Sequence, residues 1–126
     1  MKTLNIVESA YRATIEEQDD TIVWLMHAMK GAGAPLDVVL RGDAVNCAVR
    51  GQDAGGLAFG EWRQTEPPRI EQQLAALAAK GVTVYALADD LAARGLAAAD
   101  LLPGIEPLRM PALAALLPRY DRVWHW

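Results

Sequence analysis

Hydrophobic and polar positions follow two rhythms along the chain. Short apolar runs bounded by turn residues read as strands. Longer stretches with an apolar position every three or four residues read as helices. Leu4-Asn5-Ile6-Val7 predicts a first strand. After a loop over Glu8 to Ala13, Thr14-Ile15-Glu16-Glu17 has the form of a capping box, in which the Thr hydroxyl accepts from the N3 amide and the Glu reaches back. A helix from there to Met29 or Lys30, stopped by Gly31 and Gly33, puts Ile15, Ile22, Leu25, Met26 and Met29 on one face. Trp24 points away from that face.

Leu36-Asp37-Val38-Val39-Leu40 predicts a second strand, closed by Arg41-Gly42-Asp43. Asp43 then stands as the N-cap of a helix over Ala44 to Val49. Gly51 to Pro68 is rich in Gly and Pro and exceeds the usual loop length, as lids, interface arms and binding loops do. Phe59 and Trp62 within it need cover. A helix over Arg69 to Ala79 carries Ile70, Leu74 and Leu77 on one face. Val82 to Ala88 is a nearly all-apolar third strand, as expected where helices cover both faces. Asp89-Asp90 stop it, with Asp90 as an N-cap for short helical turns over Leu91 to Ala99, broken near Gly95. A short strand within Pro103 to Leu108, a helix from Pro111 to Leu117 and a strand over Arg122 to Trp126 complete the series. Alternation with short connections predicts an α/β domain over residues 1–126, its five-stranded sheet mostly parallel and covered on both sides.

Composition narrows the chemistry. The 126 residues are 52% hydrophobic and 22% charged, which excludes a disordered chain. A net charge of −4, with three Lys and nine scattered Arg, argues against a nucleic-acid partner. Cys47 stands alone, so no internal disulfide or Cys-rich zinc site can form. His27 and His125 have no metal-ligand partner at helical or strand spacing, and no metal is expected. Neither GxxxxGK(S/T) nor GxGxxG occurs, so no nucleotide cradle and no cofactor are indicated. No apolar run approaches about 18 residues, so no membrane span is expected. The start, MKTLNIVESAYR, lacks a signal peptide's apolar stretch, which makes the cytoplasm the expected location.

Several segments together resemble the DsrE/DsrF-like family, its YchN-type members in particular. Gly42-Asp43-Ala44-Val45 followed by Arg50-Gly51-Gln52 is similar to the family's (S/G)DAV…RGQ stretch after the second strand. Lys80-Gly81-Val82-Thr83-Val84, Arg94-Gly95-Leu96 and Asp121-Arg122-Val123 match in order and spacing. The resemblance covers most of the chain from Leu36 onward. It implies a three-layer flavodoxin-like sandwich, assembly into homo- or hetero-oligomers such as trimers and hexamers, and a role in sulfur relay or sulfur oxidation. Members carry a persulfide on a cysteine at the end of the third strand or just beyond. The matching positions here hold Leu87 and Asp90, neither of which can form a sulfur–sulfur bond.

Three functions remain open on these grounds. The favoured one is an oligomeric DsrE-like protein that acts without the carrier cysteine, binding partners. The second is a sulfurtransferase using Cys47, about one turn into the helix that Asp43 would cap, although its Val45, Ala48 and Val49 neighbours suit an inert buried thiol. The third is a small-molecule binder at the carboxyl edge of the sheet, lined by Ser9, Tyr11, Arg41, Asp43 and Asp89. Trp24, Trp62, Trp124 and Trp126 are many for one small domain and are candidate interface residues. Trp124 and Trp126 share one side of the last strand, with His125 on the other. His27 is expected in solvent or at a subunit contact.

Overall fold

Strand-forming runs separated by helical ones build the following order. β1 (Thr3–Val7), α1 (Thr21–Gly31), β2 (Leu36–Leu40) and a 3-10 helix (Gly42–Ala48) come first. Then come β3 (Ala58–Phe59), β4 (Trp62–Arg63), α2 (Ile70–Ala79), β5 (Val84–Leu87) and α3 (Ala88–Ala93). β6 (Ile105–Leu108), α4 (Met110–Leu116) and β7 (Arg122–His125) end the series, with single 3-10 turns before β6 and after α4. This is a computed structural model, which describes residues 1–9, 21–52 and 55–126. The predicted capping box at Thr14 to Glu17, and Ile15 with it, lie outside the described residues.

Five strands form one sheet in the order β6-β5-β2-β1-β7, with every pairing parallel. Each step from β1 through β2 and β5 to β6 moves the chain in one direction. Right-handed crossovers therefore put α1, α2 and α3 on a common face. The chain then returns across the sheet from β6 to β7, which puts α4 on the opposite face. Strand alternation sorts the side chains accordingly. Asn5, Val38, Val84 and Trp124 share the α1–α2 face through the pairings Asn5↔Val38, Val38↔Val84 and Asn5↔Trp124. Leu4, Ile6, Asp37 and Val39 share the other. All residues of β1 and β2 are buried, as the centre of a sheet covered on both faces requires.

The long Gly- and Pro-rich segment contains more order than its composition announces. β3 and β4 form an antiparallel hairpin with Phe59 opposite Trp62. Its two-residue loop needs a positive φ at the first position, and Gly60 supplies it at +58°. Phe59 finds no cover among the described residues: it is 62% exposed, and Trp62 is exposed beside it. In α1, Val23 is buried with Ile22 and Met26, whereas Leu25 is half-buried. Contact with α2 as well as the sheet widens the buried stripe beyond one face. The predicted helix over Ala44 to Val49 is instead the 3-10 helix, one residue earlier at its end and two at its start.

At the amino edge of the sheet a carboxylate sits in the core. Asp37 accepts hydrogen bonds from the Thr83 amide at 3.1 Å and the Tyr120 hydroxyl at 2.6 Å, and pairs with Lys2 Nζ at 2.6 Å. The Lys2 ammonium also lies 5.3 Å from the centre of the Tyr120 ring. Burial pushes the Asp37 carboxyl up, but the hydrogen bonds from Lys2, Tyr120 and Thr83, with the charge of Lys2, outweigh it and hold the group below its usual value. Burial, then the hydrogen bond to Asp37, pushes the Tyr120 hydroxyl up.

A lowered folded-state value means that the unfolded chain takes up the proton first as pH falls. The contribution of Asp37 is complete above its unfolded value of about 3.9 and is lost as pH drops through the lower folded one. Asp37→Asn should cost about 2 kcal/mol at neutral pH, from the loss of charge-assisted bonds. Urea titrations from pH 7 to pH 3 should show the gap between wild type and variant closing at the acid end.

Candidate functional site

All five parallel strands end on one edge, and open α/β sheets bind ligands there. Two polar groups occupy it, one on each face of the sheet. On the α4 face, Glu8 follows β1, Arg41 follows β2 and His125 closes β7, so alternation aims all three the same way. Arg41 Nε lies 2.8 Å from Glu8 Oε1, at an angle that makes it an ion pair rather than a hydrogen bond. His125 Nε2 meets the other oxygen, Glu8 Oε2, at 2.9 Å. Backbone bonds fix the three: the Arg41 amide donates to Val7 O, and the Glu8 and Ser9 amides both donate to Trp126 O. Ser9 and Arg41 thus lie at this edge. Tyr11 lies outside the described residues.

On the other face the site is organised around Gly42. Its φ of +55° turns the chain from β2 straight into the 3-10 helix, and its amide donates to Asp90 Oδ2 at 2.7 Å. Asp43 is not the N-cap: no side chain caps this helix from position 41, and the first amide is met from α3 instead. The Asp43 carboxylate turns outward and takes Arg94 at 2.6 Å. Arg94 also donates to the Asp90 carbonyl at 3.1 Å. Nor is Asp90 an N-cap. α3 starts two residues earlier, at Ala88, so Asp90 lies in its first turn and reaches across to β2's exit.

Asp89 points elsewhere, as adjacent residues must. Its carboxylate accepts the Met110 amide at 2.8 Å at the start of α4. The chain leaving β5 goes to one face and the chain leaving β6 to the other, so Asp89 spans the point where an open sheet would divide. Leu87 ends β5 fully buried. Cys47 is 9% exposed, in the 3-10 helix with Ala44, Val45 and Ala48 also buried around it.

His27 is half-buried and engaged on both ring nitrogens. Its Nε2 lies 2.8 Å from the Gln73 carbonyl and its Nδ1 3.0 Å from Lys80 Nζ. With the ammonium as donor, Nδ1 accepts and Nε2–H donates, which joins α1 to α2. A cleft of about 370 Å³ opens beside it, lined by Glu66, Arg69 and Gln72 among others. The sequence offered no sign of the Glu8 cluster, whose members are distant along the chain, or of this cleft, which forms only when His27 of α1 meets the segment from Glu66 to Ala76. Among the described residues, no three His, Cys, Asp or Glu side chains gather as metal ligands. Trp24 is 57% exposed on α1, and Trp124 and Trp126 stack edge to face at 6.1 Å.

A parallel five-stranded sheet with helices on both faces and a polar carboxyl edge defines an open, doubly wound α/β protein. The model of the DsrE/DsrF-like family matches residues 1–125, and the chain belongs to this family. In fold it is similar to the crystal structure of the YchN protein from E. coli, with a TM-score of 0.69, 24% identity and full coverage of both chains. It is also similar to a protein of unknown function from Methanobacterium thermoautotrophicum, with a TM-score of 0.60 and 14% identity over 98% of this chain and 96% of that one. No curated protein matches the chain in sequence.

Asp90→Ala should leave the Gly42 amide without its acceptor and cost about 1–3 kcal/mol. Thermal melting checks the loss. Hydrogen exchange should quicken first at the amides of the 3-10 helix.

Proposed function

We propose that this chain is a non-carrier member of the DsrE/DsrF-like family, a binding subunit in sulfur relay or sulfur oxidation that does not itself hold the sulfane sulfur. One observation carries the reading. Where the family resemblance calls for a cysteine, at or just past the end of β5, this chain has a fully buried hydrocarbon, Leu87, and a carboxylate, Asp90, already engaged by the Gly42 amide. A sulfur–sulfur bond needs a thiol in reach of a partner. Cys47 supports no substitute, since it is packed among apolar side chains.

The chain acts in the cytoplasm as a homo-oligomer, a trimer or hexamer, or in a hetero-oligomer with related subunits. The exposed Trp24, Trp62, Trp124 and Trp126 provide rigid contact area of the kind enriched at interfaces. Among the described residues no helix is long and apolar enough to cross a membrane.

Loading the folded protein with a low-molecular-weight persulfide, followed by intact mass measurement, tests this. Wild type and Cys47→Ala should each keep the mass they had before loading, with no stable gain of a sulfur atom. A one-sulfur gain in wild type that Cys47→Ala loses would establish Cys47 as a carrier and overturn the proposal.

A further inference from the structure

The two edges of the sheet are built differently. β6 contains Pro107, which has no amide hydrogen to offer, and proline on an edge strand blocks pairing with another chain. β7 has no such guard. It carries no Pro and no Lys, all four of its residues are exposed, and apolar Val123 and Trp124 lie in its middle. Among the described residues nothing pairs with its outer side.

The direction of its backbone groups can be worked out. The Trp126 amide donates to Ile6 O at 2.9 Å, and Trp126 O accepts from the Glu8 amide at 2.9 Å, so both groups of Trp126 face β1. In a parallel ladder this alternates residue by residue. Trp124 and Arg122 therefore also face β1, and the Arg122 amide lies 3.4 Å from Lys2 O. Val123 and His125 turn their amides and carbonyls outward, where a strand could take them.

We infer that β7 pairs antiparallel with β7 of a second copy about a two-fold axis at Trp124, joining two five-stranded sheets into one of ten. That register sets Val123 opposite His125 of the partner subunit, so the outward groups of both exchange hydrogen bonds. It sets Trp124 opposite its own counterpart in the close, non-hydrogen-bonded pairing. It also sets Arg122 opposite Trp126 of the partner subunit on one face, an Arg–indole pair. Opposite residues fall on the same face throughout. A register centred between two residues would instead set Val123 against Trp124, which project to opposite faces, so it is excluded. The indole of Trp126 is held ready by the Asn5 side chain, whose oxygen accepts from Nε1 at 3.2 Å. The guarded edge at β6 rules out head-to-tail growth and leaves the isologous pair. This inference rests on the assembly reading above and narrows it to even-numbered assemblies, a hexamer and not a trimer, by naming the contact.

Two variants and a control test it. Proline at 123 removes only an outward amide, so Val123→Pro keeps the pairing with β1 while blocking the partner. By sedimentation, wild type should form an even-numbered assembly and Val123→Pro should have half its mass with an unchanged circular dichroism spectrum. In a Cys47→Ala background, Trp124→Cys places two thiols across the axis with Cα atoms about 4.5 Å apart, within the range of roughly 4.4–6.8 Å that a disulfide spans. Mild oxidation should link it into covalent dimers, and His125→Cys, offset along the strand, should stay unlinked. A monomeric wild type, an unchanged mass for folded Val123→Pro, or absence of the Trp124→Cys link would overturn the inference. The last two results with an assembled wild type would reject this edge alone, and none bears on the sulfur-loading test.

Discussion

Asp37 is the interaction that most of the sheet answers to. It sits in the central strand, every residue of which is buried, and a carboxylate there is tolerated only when its oxygens are filled. Filling them recruits Lys2 ahead of β1, the Thr83 amide ahead of β5 and Tyr120 ahead of β7. Three strand starts are thereby brought to one point at the amino edge. The reciprocal bond between the Lys2 amide and Asp121 Oδ2 at 2.7 Å, with the Asp121 amide returning to Lys2 O, tightens the same corner. The opposite edge is then free to vary in chemistry, since alignment of the strands does not depend on it.

That free edge is polar, but its charges face one another. Glu8 holds Arg41 and His125, Asp43 holds Arg94, Asp90 holds the Gly42 amide and Asp89 the Met110 amide. A site designed for covalent chemistry leaves a nucleophile unengaged and near a base. Here the acidic side chains act as fasteners between loops.

The architecture was largely legible because it is written in local patterns. Every strand of the large sheet lies within a segment that the sequence marked as a strand, three of them apolar runs, and α2 buries the Ile70, Leu74 and Leu77 that its spacing singled out. The family resemblance rested on short segments whose order survives in the fold. What escaped was contact chemistry. Asp43 and Asp90 both stood in N-cap positions by sequence, yet Gly42's left-handed turn and the close approach of α3 redirected them. His27 was read as an isolated ring because Gln73 and Lys80 meet it only after two helices pack. Asp37 attracted no attention inside an apolar run, since its partners come from distant parts of the chain. The hairpin at Ala58 to Arg63 was hidden by strands of two residues each, too short to show alternation.

Asn5 has a different bearing on the fold. Buried at the centre of β1, its oxygen takes the Trp126 indole, while Nδ2 has no acceptor among the described residues. A leucine there would be more stable in isolation, for an unmatched buried donor is costly. But β7 arrives by a long crossover, with no tight turn to set its alignment. A slide of one residue would invert the strand, carry both indoles through to the α4 side and leave the amide facing hydrocarbon at both ends. Asn5 thus serves as a checksum on the last pairing, accepting a modest instability so that misthreaded copies of the sheet are worse still.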